Sequence, residues 1–349
     1  MVSRRMLGIA VAALAVVAGA LLFAVELGTA QGLPPRISFQ IMTGSSGGTY
    51  FPVGQLLAGL ISHPPGVDRC EATPVCGPAG LIVSARTSDG AVANVLAVNA
   101  GRAESGLAQG DVVAQAVAGQ GSFAAAGRQS ALRVIADLFA EDVHLLVARR
   151  AKIASVVDLK GKRVSLGAES SGTSVTARAI LNAYGIGEWR LKVRHDASDV
   201  DAQLMQQGQL DAFFFVGGAP VSLVQDLIDH GVARLVPIDG KGRDRLTHAN
   251  PAIARDIVPA GTYSGTPALQ TVKVRALWVV NARVPDSTVY GIVRALFQPG
   301  NRAALDQGGR SAAQIRLDGA VDTLPAPLHP GAARFFREIG RLPRPGGKS

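Results

Sequence analysis

The sequence predicts an α/β protein with mainly parallel sheets, on three observations. From Ile37 onward, short apolar runs alternate with stretches of helical periodicity, the signature of βαβ units. Gly (41 residues) and Pro (19) are plentiful while aromatics make up only 5%, which suits many short elements joined by tight turns. One arrangement, a strand followed by a Ser/Gly/Thr loop and a helix, occurs twice: at GSSGGT (44–49) and at ESSGT (169–173).

In chain order, the apolar runs predict strands at 37–42, 81–85, 132–137, 144–148, 164–167, 191–194, 212–216, 233–237 and 274–281. Helical spacing predicts helices at 53–62, 90–100, 109–118, 174–184, 199–207, 220–230 and 287–297, with Gly185 stopping the fourth. Pro220 is expected at the first position of its helix, where proline is favoured. Residues 340–349, rich in Gly and Pro, read as a frayed tail.

At 349 residues with 48% hydrophobic and 17% charged content, the chain is long enough for two packed lobes. The net charge of +9 raises the question of nucleic acid. Its Lys and Arg are scattered, however, and no basic-aromatic signature appears, so the charge reads as solubility and mild attraction for anions, with no nucleic-acid partner. Arg4 and Arg5 precede an apolar run from Met6 to Val25 and small residues at Gly28-Thr-Ala30. Residues 1–30 are therefore expected to be an export signal, or an uncleaved membrane anchor, and the protein to reside in the periplasm. The two cysteines, Cys70 and Cys76, are expected to pair as a local disulfide in that oxidising compartment. A catalytic or metal-binding use of the pair is the alternative, but no His or further Cys is spaced to complete a zinc site; no metal or cofactor is expected.

A helix start leaves backbone N–H groups unpaired and carries the positive end of the helix dipole, so it holds an anion or carbonyl without a charged side chain. Glycines let the backbone approach, and Ser45, Ser46, Thr49, Ser171 and Thr173 add hydroxyls. Either loop taken alone also reads as a plain helix cap. Their duplication at corresponding strand ends, where open α/β sheets bind ligands, favours two halves of one polar cradle. GSSGG (44–48) also satisfies G-x-S-x-G, which would make Ser46 a hydrolase nucleophile. It stands at the first strand, however, with no oxyanion stretch before it and no histidine in a context that marks a base, and the protein is expected not to be an enzyme.

The stretches TGSSGGTYFPVG (43–54), CGPAGL (76–81), DGAVANVLAVNAGRAESGLAQGD (89–111), LRVIADLFAEDVHLLV (132–147), DLKGKRVSLGAESSGTSVTARAIL (158–181), DAFFFVGGAPV (211–221), VPAGTYSG (258–265) and PLHPGA (327–332) follow one another in order. Together they resemble the TAXI-type solute receptors of tripartite ATP-independent periplasmic (TRAP) transporters. The resemblance implies a type II periplasmic-binding-protein clamshell, each lobe a mainly parallel sheet flanked by helices. Lobe 1 would comprise residues 36–143 and 275–349, and lobe 2 residues 144–274. It implies a monomeric receptor that closes on a small carboxylate, glutamate-like, dicarboxylate or 2-oxo acid, and hands it to a TRAP membrane permease. A similar clamshell presenting its ligand to a membrane sensor kinase is the alternative.

Carried over by motif, the ligand-binding residues are Gly48, Thr49 and Tyr50 from the first loop, Gln109, then Ser171, Gly172 and Thr173, with Phe215, Gly217, Pro220 and Tyr263. Tyr50 and Tyr263 offer apolar faces with one hydroxyl each, and Gln109 both donates and accepts. Phe213 and Phe214 read as core strand. The chain departs from the family pattern at Gly110, where a Ser is usual, and at Asp89 and Glu169, which put negative charge near the loops. Arg86 and Arg178 read as solvated or structural charges rather than carboxylate clamps.

Overall fold

The repeated strand-loop-helix units of the sequence become two matching halves of one long sheet. The computed structural model describes residues 36–66, 70 and 75–343; the proposed export signal and most of the proposed tail lie outside them. In the first half, β1 (Ile37–Met42) leads through the first Ser/Gly/Thr loop into α1 (Tyr50–Ile61) and returns as β2 (Leu81–Arg86), parallel to β1. Helix α2 (Ala91–Asn99) then feeds β3 (Ser105–Gln109), which pairs with the other side of β1 and runs into α3 (Gly110–Ala118). In the second half, β5 (Arg163–Ser165), α4 (Gly172–Ala183), β6 (Lys192–Arg194), α5 (Ser198–Gln206) and β7 (Ala212–Gly217) repeat that path, with β6 and β7 parallel to β5 on its two sides.

Two long strands join the halves. β4 (Leu132–Ala148) and β10 (Leu269–Asn281) pair antiparallel from Lys273↔Asp142 to Asn281↔Leu132, giving the order β2-β1-β3-β10-β4-β7-β5-β6. Strands expected at 132–137 and 144–148 are thus one 17-residue strand. Asp137, Glu141 and Asp142 interrupt its apolar run, but their acidic side chains leave the backbone ladder intact, with register shifts near Leu277 and Val279.

The remaining elements are α6 (Ser222–Asp229), β8 (Ala233–Val236), α7 (Gly240–Ala249), β9 (Ala254–Val258), α8 (Asp286–Leu296), the short α9 (Arg302–Gln307) and α10 (Gly309–Ala313), and α11 (Pro330–Glu338). Pro220 does not open α6: the Ala219–Pro220 peptide is cis and the helix begins at Ser222.

Each half has its own core. In the first, Phe39 and Trp278 meet edge to face at 6.4 Å, and the Trp278 indole N–H donates to Ser105 Oγ at 3.1 Å. In the second, Val164, Ala177, Ile180 and Phe214 pack together. Each large apolar side chain buried in this way contributes about 1.5–3 kcal/mol. Cys70 and Cys76 form a disulfide with Cα atoms 5.4 Å apart. Among the described residues no helix is long and apolar enough to cross a membrane.

Candidate functional site

The carboxyl ends of β1, β3, β5 and β7 converge on one cavity, walled by residues of both halves. The space inside it is about 120 Å³.

The first wall begins where β1 ends. The Thr43 hydroxyl donates to the Arg86 carbonyl at 2.7 Å, and the buried Asn94 donates to the carbonyls of Thr43 (2.6 Å) and Leu107 (2.8 Å) while accepting from Ser88 Oγ. Asn94 thereby clamps the ends of β1 and β3 to the loop carrying Asp89. At the start of α1, Thr49 makes no side-chain cap. Its hydroxyl instead accepts the Gly218 N–H at 3.2 Å from the opposite half. A Cβ on Gly217 would lie 2.7 Å from that hydroxyl, so only glycine permits the approach. The buried Tyr50 donates its hydroxyl to Glu141 Oε2 at 2.7 Å.

The second wall follows β5. Ser165 donates to Asp201 Oδ2 at 2.9 Å and accepts the Gly167 N–H at 3.2 Å. Gly167 has φ +84°, and a Cβ there would lie 2.9 Å from Thr173 Cγ2, so the turn requires glycine. Ser171 caps α4 by accepting the Ser174 N–H at 3.1 Å, and Thr173 Oγ1 accepts the Val216 N–H at 3.3 Å. The Ser171 and Thr173 hydroxyls are thus satisfied within their own half.

The two walls are drawn shut. The Val92 and Ala93 N–H groups at the start of α2 donate to the Ser170 carbonyl at 3.1 and 3.2 Å. Ser45 Oγ lies 3.2 Å from Ser198 Oγ, and Thr176 donates to the buried Asp111 carboxylate at 2.8 Å. The Gln109 amide rests on Gly172 so closely that a Cβ at 172 would stand 1.3 Å from Gln109 Oε1.

Of the sequence-predicted residues, Gly48, Thr49, Tyr50, Gln109, Ser171, Gly172, Thr173 and Phe215 line this cavity, as do Asp89 and Phe214. Three others stand elsewhere. Gly217 serves the close approach to Thr49, and Pro220 lines an outer groove instead. Tyr263 is fully buried outside the cavity lining, packed in the core cluster with Phe213 and Phe215, its hydroxyl accepting the Val221 N–H at 3.1 Å and lying 2.8 Å from His144 Nε2. Ser46 also lines the outer groove, and among the described residues no hydrogen bond joins it to a histidine. Arg178 binds Glu169, Glu188 and Ser174, and Arg86 binds Gln40, so neither reaches the cavity.

Sequence reasoning missed Glu141, Asp201 and Ser198, all of which line the cavity. Burial raises Glu141 to about 8, Asp201 to about 7 and, just behind the wall, Asp111 to about 6. The Tyr50 hydrogen bond opposes the shift of Glu141, as the Ser165 bond does for Asp201. Burial also lowers His144 to about 4, leaving it neutral. A signal for Glu141 was present: an acid pair, Glu141-Asp142, inside an otherwise apolar run.

Many solved structures are similar to this chain, three of them as follows. MatC from Rhodopseudomonas palustris with bound malate matches with a TM-score of 0.51 at 15% identity, covering 88% of this chain and 98% of that one. The alkanesulfonate-binding protein SsuA from Xanthomonas axonopodis pv. citri, bound to MOPS, gives 0.44 at 16% identity over 87% and 84%. The periplasmic aliphatic sulphonate binding protein SsuA from Escherichia coli gives 0.42 at 16% identity over 87% and 83%. The likeness to MatC carries the fold, a two-lobed periplasmic-binding-protein clamshell. The NMT1-like family model matches residues 41–340, nearly the whole of both halves, and the chain belongs to that family.

Proposed function

We propose that this protein is an exported, non-catalytic solute receptor of the TAXI type. It closes around a small carboxylate-bearing solute and presents it to a TRAP membrane permease. Lobe 1 (residues 36–143 and 275–349) and lobe 2 (144–274) would move about the middles of β4 and β10. The observation that carries the reading is the cavity itself: two Ser/Gly/Thr loops, at equivalent strand ends of two repeated halves, face each other across one small hollow. The starts of α1 and α4 border that hollow, and the positive ends of their helix dipoles suit a carboxylate. MatC, similar in fold, is named with bound malate, itself a small organic acid. A solute contacting both walls favours the closed form because only that form offers all its partners at once.

The test is a thermal-shift panel of small organic acids and amino acids on the purified protein. A ligand at a hundred times its dissociation constant stabilises by about 2.7 kcal/mol, which raises the melting temperature by several degrees. A flat response across the panel contradicts the reading. The transporter type is read separately: uptake of the solute into cells should stop when the ion gradient is collapsed and persist when ATP is depleted.

A further inference from the structure

The cavity's ionisable lining has one sign. Asp89, Glu141 and Asp201 face it, and among the described residues that line it there is no Lys, Arg or His. Two acceptor atoms on residues that line it, Asp201 Oδ1 and Gln109 Oε1, are buried without a hydrogen-bond partner among the described residues, on side chains 0% and 2% exposed, the second of them packed against Gly172. Neither carboxyl is free to swing away. The other oxygen of Asp201 is held by the Ser165 hydroxyl at 2.9 Å, and Glu141 by Tyr50 at 2.7 Å. A buried acceptor left without a donor is costly, and more so when it is charged. These atoms therefore await N–H groups that the walls do not supply. A solute ammonium set against Asp201 supplies that donor and draws the carboxyl into the ionised form that burial opposes, whereas a second carboxylate there opposes ionisation further.

We propose that the cavity selects solutes that carry an ammonium group, with the Asp201 carboxylate as counter-ion. This deepens, and rests on, the reading of the cavity as the solute site. An amino acid meets both demands of the hollow: its carboxylate faces the helix starts and its ammonium faces Asp201. The 2-oxo acid or dicarboxylate of the same carbon skeleton meets only the first. Asp201 is a specificity-determining residue in this account, set in place by Ser165.

The test uses matched pairs on the purified protein, by thermal shift and calorimetry: glutamate against 2-oxoglutarate, alanine against pyruvate, aspartate against malate. At least one amino acid should bind at least tenfold more tightly than its nitrogen-free counterpart. In Asp201→Asn, whose side-chain oxygen still accepts from Ser165, that amino acid should lose about tenfold or more, and the gap within the pair should close. The ligand-free melting temperature of the variant verifies that it is folded, and the wild-type pairs are informative without it. If the 2-oxo acids or dicarboxylates bind as tightly as the amino acids, or Asp201→Asn keeps the preference, ammonium selection is overturned while the receptor reading stands. If neither member of any pair binds, the receptor reading falls and this inference with it.

Discussion

The two loops that wall the cavity have nearly the same composition but spend their hydroxyls differently. Ser171 and Thr173 are engaged within their own half, accepting from Ser174 and Val216, so the second loop's hydroxyls are set whether or not the first is near, although its Ser170 carbonyl takes the Val92 and Ala93 N–H groups from across the gap. Thr49 leaves its helix start uncapped and takes its partner, Gly218, from across the gap. Behind the loops the two halves are alike, each bracing an acid of its own: Tyr50 donates to Glu141 and Ser165 to Asp201. The hydroxyls of the second loop are thus preorganised, whereas the Thr49 hydroxyl of the first finds its partner only on closure.

The largest effect expected concerns the acids behind the loops. Glu141 is raised to about 8 and Asp201 to about 7 chiefly by burial, so the folded protein keeps protons that the unfolded chain has already released. Their contribution is fully present below the ordinary carboxylate range and is lost as pH rises through about 7 and 8. Each tenfold increase in proton affinity on folding is worth about 1.4 kcal/mol, so the pair amounts to several kcal/mol. Relative to an E141Q/D201N variant, ligand-free wild type should therefore lose melting temperature across that window. Parallel curves for the two proteins would show that the acids are not buried together as described.

Next is the contact that seals the walls. Gly172→Ala puts a Cβ where Gln109 Oε1 stands, and overpacking of this kind costs about 1–3 kcal/mol. Solute affinity should fall by up to about a hundredfold, read by calorimetry, while the ligand-free melting temperature changes little. Unchanged affinity would mean that the solute binds without the walls meeting at Gly172.

The contrast between the loops is tested by Ser171→Ala against Thr49→Val. Loss of the Ser171 cap should cost about 1 kcal/mol of ligand-free stability. Loss of the Thr49 acceptor should instead appear in solute affinity, by about 0.5–1.5 kcal/mol, with stability nearly unchanged. The smallest effect is expected for Arg178→Ala. Its partners Glu169, Glu188 and Ser174 all belong to the second half and lie outside the cavity lining, so affinity should change less than twofold. A large loss would restore it as a carboxylate clamp.

Much of this was legible in the sequence, and the exceptions have physical causes. The β1 and β7 runs and the two loops are local features, set by apolar period and small-residue punctuation, and they emerge within a residue or two of their expected bounds. The strand Ser105–Gln109 was not legible because all five of its residues are buried, so it shows no alternation, and Gly106 weakens its strand signal. Helix Gly240–Ala249 escaped because little of it is apolar. The motif around Tyr263 points to the cleft because a motif reveals a residue's neighbours in the chain but not whether its ring packs into a core cluster, as this one does beside Phe213 and Phe215. Asp201 joins the site only through the repeated topology that brings the start of α5 beside β5. No local pattern marks that.

The central claim, that a solute draws the two walls together, has a direct test at the outer rim. There a Cβ on Gly47 would lie 3.5 Å from Leu223 Cδ1, and neither residue lines the inner cavity. The native cysteines are paired with each other, so Gly47→Cys with Leu223→Cys introduces one new reactive pair. The account predicts that the best stabiliser from the solute panel speeds cross-linking between positions 47 and 223 at least tenfold under mild oxidation. A cross-linking rate that is the same with and without the solute would contradict it.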